Sequence, residues 1–115
     1  MHSLDSLCKR VMTSVSSEHL LKRQYLMSQF AEAIEDYQRG AINSRGLAHR
    51  ADEISTAEDI APLEDELLNH TFWAMHHLLH QPACWAAKPE EISYLGRCLR
   101  GEETFDQTIV DEFRA

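Results

Sequence analysis

Residues 62–80 read PLEDELLNHTFWAMHHLLH, and this stretch decides the fold. Leu67, Leu68, Thr71, Ala74, Met75, Leu78 and Leu79 recur at helical spacing and fall on one side of a helix. Glu66, His70, Trp73, His77 and His80 fall on the opposite side, within roughly 80° of one another at about 100° per residue. Pro62 suits a first helical position, because its missing N–H would have no partner there. Glu64, Asp65 and Glu66 suit the positive end of the helix dipole. Gln81-Pro82 stops the run, since the residue before a proline is pushed out of the α region. The stretch therefore predicts a helix over 62–80 with one apolar face and one face of His, Glu and Trp. An apolar face of that width must be covered by other elements.

Those elements are helices too. Upstream, the pattern predicts a helix over 44–54 with Leu47, Ala48, Ala51 and Ile54 inward. Asn43 is its N-cap, and Ile42 and Leu47 have the spacing of a hydrophobic staple. Gly46 inside it costs helix stability. Before it, Leu20, Met27, Phe30, Ile34 and Tyr37 form the stripe of a helix over 18–39, closed by Gly40. Leu4, Leu7, Cys8, Val11, Met12 and Val15 predict a separate helix over 4–15, with Ser14, Ser16 and Ser17 dividing the two. Downstream, Pro89 opens a helix to about residue 100 with Ile92, Leu95, Cys98 and Leu99 inward, and Gly101 ends it. A last short helix starts near Phe105, where Thr104 and Gln107 have capping-box spacing and Ile109 and Phe113 add apolar contacts. No stretch alternates with period two, and no repeat or linker divides the chain. The expectation is an all-α fold, a single-domain bundle of five or six helices spanning residues 1–115.

Composition agrees with a globular domain. The chain has 115 residues, 43% of them apolar and 26% charged. No apolar run approaches the roughly 20 residues that span a bilayer, so no membrane partner is expected. No secretory signal is visible at the start, and the expected location is the cytoplasm. Cys8, Cys84 and Cys98 are odd in number and form no CxxC pair, so reduced thiols are expected in place of disulfides or a zinc knuckle.

Charge is unevenly distributed. Residues 1–50 hold seven Lys and Arg against five Asp and Glu, a net of +2, whereas residues 51–115 hold four against fourteen, a net of −10. No Lys or Arg occurs from Ala51 to Ala87. Such a field repels phosphate backbones, which argues against nucleic acid, and attracts a basic partner.

Three readings compete for the His, Glu and Trp face. Glu66 with His70, and His76 with His80, have the i,i+4 spacing that can chelate zinc, although the HExxH signature is missing. The histidines can instead serve structure by bonding to neighbouring helices. Or the face binds a protein, with Trp73 as a large apolar anchor on a polar stripe. Trp85 is expected to close one end of the core. Nucleophilic chemistry would need a base and an orienting group for a cysteine; Cys84 lies near His80, but no third group is evident. No G-x-S-x-G, P-loop or G-x-G-x-x-G occurs, so neither an enzyme nor a cofactor is expected.

A resemblance extends the third reading. It is carried by Phe30-Ala31-Glu32-Ala33-Ile34, Gly40-Ala41-Ile42-Asn43-Ser44, Leu47-Ala48, the acidic run from Asp59 to Glu66, and Phe72-Trp73. This pattern resembles small helical bacterial immunity proteins paired with colicin D-type and contact-dependent growth-inhibition toxins. The resemblance implies a cytoplasmic inhibitor that binds a basic toxin domain, often a nuclease, and blocks it. Charge and exposure reasoning select Asp59, Glu64, Asp65 and Glu66 as the electrostatic patch, with His70, Trp73 and His77 beside them. The alternatives are a regulatory or adaptor domain with a non-toxin partner, and a metal-binding protein using the histidines of the 62–80 helix.

Overall fold

The computed structural model describes residues 2–78 and 87–114, with side chains from residue 17 to 113. Leu79, His80, Cys84 and Trp85, and the side chains of Leu4, Leu7, Cys8, Val11, Met12 and Val15, lie outside the described residues.

Helix α1 runs unbroken over His2–Gln38. The expected division at Ser14, Ser16 and Ser17 is corrected by this. A serine costs a helix only about 0.5 kcal/mol relative to alanine, and propagating a helix is far easier than nucleating a second one. With neither Gly nor Pro in the segment, nothing forces the chain out of the helix. Its 37 residues span about 55 Å at 1.5 Å per residue, which accounts for the 59 Å longest dimension of the fold. Among the described side chains, the first α1 residue to be buried is Leu26; Leu20, Leu21 and Tyr25 are exposed.

Gly40 ends α1 as expected. Its φ is +81°, and the amide of Ala41 donates to the carbonyl of Asp36 at 2.9 Å while that of Gly40 donates to Tyr37 at 3.1 Å. This pair of bonds satisfies two of the last carbonyls, which have no intrahelical donor. Helix α5, Pro89–Leu99, ends the same way. Gly101 has φ +80°, its amide donates to Cys98 at 3.0 Å, and Glu102 donates to Arg97 at 2.8 Å. A Cβ at residue 101 would touch nothing within 4 Å. Gly101→Ala should therefore cost only the left-handed backbone strain, about 1 kcal/mol. Urea denaturation would read this as a lower midpoint with an unchanged slope.

Helix α2 is Ser44–Ile54, capped by Asn43, whose side chain accepts from the Gly46 amide at 2.9 Å. The bare Cα of Gly46 has a packing reason: a Cβ there would lie 3.0 Å from Ile42 Cβ, the outer arm of the staple. Thr56 caps the single turn α3, Ala57–Ile60, which passes into a 3-10 turn over Ala61–Leu63.

Helix α4 is Glu66–His76, shorter than expected at both ends. Pro62 lies in the 3-10 turn and not in α4. Glu64 adopts the left-handed conformation, φ +49°, and redirects the chain. Asp65 then caps α4 by accepting from the Leu68 amide at 3.0 Å, so of the acidic trio only Glu66 is helical. Helix α6, Gln107–Arg114, is also capped differently from expectation. Asp106 accepts from the Thr108 amide at 2.9 Å. The carbonyl of Thr104 is instead held by Tyr94.

Helix α1 packs on α2, α4 and α5, α4 also packs on α2 and α5, and α6 lies on α5. Phe30 and Ile34 of α1, Leu47 of α2, Leu68 and Met75 of α4 and Leu95 of α5 are fully buried in the shared core. Six α-helices and no strand occur among the described residues, an all-α fold. No described helix is long and apolar enough to cross a membrane.

A smaller cluster of Tyr94, Cys98 and Val110 joins α6 to α5. The Tyr94 hydroxyl donates to the Thr104 carbonyl at 2.8 Å and accepts from the Asp106 amide at 2.9 Å. Burial pushes the Tyr94 hydroxyl above the usual tyrosine value of 10.0 and the Cys98 thiol above 9.0. Both groups are thus held protonated more firmly in the folded chain than in the unfolded one. Their contribution is complete below the unfolded values and is lost as pH rises through the folded ones. Denaturation midpoints should fall above about pH 9. Tyr94→Phe should lower stability by about 1–2 kcal/mol at neutral pH and flatten the alkaline decline. An unchanged alkaline slope in that variant would remove Tyr94 from the explanation.

Candidate partner-binding surface

The inward side of α4 is set by Leu68, Thr71, Phe72, Ala74 and Met75, all buried. Its other side divides into two parts that the helical spacing alone placed together. His70 belongs to the interior. Its Nε2 lies 3.1 Å from Glu91 Oε2, and the His70 side chain is 16% exposed and that of Glu91 0%. Glu91 stands in the first turn of α5, where the dipole favours negative charge. The ring of Phe105 lies 5.6 Å from that of His70. This residue therefore joins α4 to α5 and offers little to a partner.

Trp73 belongs to the outside, 38% exposed. Around it the rings form a corner. Phe72 and His76 stack nearly parallel, 12° apart with centroids at 5.6 Å. The indole stands almost perpendicular to both, at 80° to Phe72 and 88° to His76. His77 is half-buried, its ring 5.5 Å from the indole. The His76 ring is fixed by Asp52 of α2, with Nδ1 2.9 Å from Oδ1. Asp52, Ser55, Thr56, Glu58, Phe72, Trp73 and His76 line one groove of about 350 Å³.

The acidic run does not form the continuous patch that charge alone suggested. Asp59 faces Lys22 of α1 at 3.7 Å. Asp65 faces Arg23 of α1 at 3.2 Å while capping α4, and Arg23 also donates to the Leu63 carbonyl at 3.1 Å. Both carboxylates thus serve the join between α1 and the turn before α4. Glu64 and Glu66 are exposed, in no ion pair among the described residues, and share a second depression of about 340 Å³ with Asn69. Glu53 and Glu58 are exposed and in no ion pair as well. Of the seven residues selected from sequence, Glu64, Glu66 and Trp73 face outward, Asp59 is exposed but paired, His77 is half-buried, and Asp65 and His70 are engaged inside the fold.

Sequence reasoning missed Asp52, Glu58 and His76 as companions of Trp73 in this groove. Asp52 and His76 are 24 residues apart, and no local spacing announces their meeting. As for metal, His70 is directed to Glu91 and His76 to Asp52, while His80 lies outside the described residues. No group of three His, Cys, Asp or Glu is arranged to hold a metal ion among the described residues. Set against models of known protein families, curated proteins and solved structures, the chain finds no match.

Proposed function

We propose that this chain works by binding a basic protein, as a stoichiometric inhibitor of a bacterial toxin domain of the kind that immunity proteins neutralise. The carrying observation is Trp73, a large apolar side chain 38% exposed in a groove edged by Asp52 and Glu58. A tryptophan half in water, beside carboxylates and in a segment without cations, is the composition of an interface anchor. Glu64 and Glu66 supply unpaired charge nearby in sequence, and opposite potentials would speed encounter with a basic domain. Asp59 and Asp65 contribute less to this field, because Lys22 and Arg23 balance them.

The test is to isolate the chain with its partner from the native host and to measure association. Charge reversal at Glu64 and Glu66 should slow association about tenfold at low salt, with the fold intact. The same change at Asp65 should instead destabilise the fold, through loss of the α4 cap and the Arg23 pair. A partner whose toxicity is relieved by the chain supports the proposal. A complex insensitive to salt overturns it, and a harmless basic partner replaces it with an adaptor role.

A further inference from the structure

We infer that the groove between α2, α3 and α4 receives an arginine side chain of the partner, an assignment that rests on the protein-binding reading above. Three rings and two carboxylates converge there. The Phe72–His76 stack makes one wall, the perpendicular indole of Trp73 makes the other, and Asp52 and Glu58 edge the opening. A bare carboxylate cluster would attract any cation. A flat aromatic wall beside carboxylates is more selective, because a guanidinium can lie against a ring face while its planar fork donates to a carboxylate. An ammonium has no face to stack and is more strongly hydrated.

The carboxylates are suited to that role. His76 engages Asp52 through Oδ1, and Asp52 makes no ion pair with a Lys or Arg among the described residues, so its second oxygen can accept from a guanidinium. Glu58 makes no ion pair there. The hydrogen bond between Asp52 and His76 also fixes the ring wall, so the corner exists before a ligand arrives and little ordering is required on binding. The depression at Glu64 and Glu66 has charge but no ring among its lining residues, and it would not distinguish arginine from lysine.

The probe is a blocked tripeptide, acetyl-Gly-Arg-Gly-amide, titrated into the full chain while the two tryptophan indole N–H signals are followed by NMR. Trp73→Phe assigns which signal is which. The arginine peptide should shift the Trp73 signal to saturation. The lysine peptide should bind about fivefold more weakly, and the citrulline peptide, equal in shape but uncharged, should not saturate. Asp52→Asn with Glu58→Gln should weaken the arginine peptide about fivefold and leave the unliganded Trp73 signal in place, because Asn keeps the acceptor for His76. Equal response to arginine and citrulline overturns the inference, as does a shift at Trp85 alone. With a partner in hand the two proposals separate. A salt-sensitive complex indifferent to Trp73→Ala removes the arginine groove and keeps the basic partner. Saturable arginine binding with a partner that is not basic does the reverse.

Discussion

Phe30→Ala should lower the stability of this chain by about 4 kcal/mol. Phe30 is fully buried on α1, with Ile34 one turn further along, in the core that α2, α4 and α5 share. Truncation to alanine removes the apolar transfer energy of a phenyl ring and leaves a cavity. Helices joined on three sides cannot all move in to fill it. A domain of this size has only some 5–15 kcal/mol in total, so the variant should be close to unfolding at 37 °C. Urea denaturation at 25 °C followed by circular dichroism would measure the loss. A cost below about 1 kcal/mol would mean that Phe30 is not in a packed interior.

Glu91→Ala should cost about 3 kcal/mol, an unusual amount for removing a carboxylate. Glu91 is fully buried, and His70 of α4 sits 3.1 Å from it across a gap of 21 residues in sequence. Removing Glu91 leaves the half-buried His70 ring without this bond at the join of α4 and α5, and the desolvation penalty of that loss exceeds the worth of the bond itself. Glu91→Gln keeps the shape and an acceptor, and should lose about half as much. The decisive measurement is the double-mutant cycle with His70→Ala. The double variant should be more stable than the sum of the single losses predicts, by about 1–2 kcal/mol. Simple additivity would show that the two residues share a location but no interaction energy.

The same pair shows why the site was harder to read than the fold. Residues 62–80 placed His70 and Trp73 on one helix face, and that angular reading is correct. Whether a residue on that face meets solvent or another helix depends on what packs beside it, and α5 covers His70 but not Trp73. Charge behaved similarly. The count of carboxylates after residue 50 was legible, but it gave no hint that Lys22 and Arg23 on α1 would lie against Asp59 and Asp65. The boundaries of α4 were missed for a different reason. Pro62 and the acidic trio satisfy the rules for a helix start at more than one register, and the left-handed turn at Glu64 selected the later one.

By itself the sequence determined four of the six described α-helices, though not the single turn α3 or the unity of α1, and several helix ends: Asn43 and Pro89 where they begin, Gly40 and Gly101 where they stop, and the apolar stripes that bury Leu47, Leu68, Met75 and Leu95. These features close within one or two turns of chain, so the residues that decide them are sequence neighbours. Tertiary structure alone decided that His70 and His76 are held by carboxylates of other helices and that Trp73 shares a groove with Asp52 and Glu58. Those outcomes depend on which helix lies against which. That choice is made by burial of the whole apolar surface at once, and no short segment carries it.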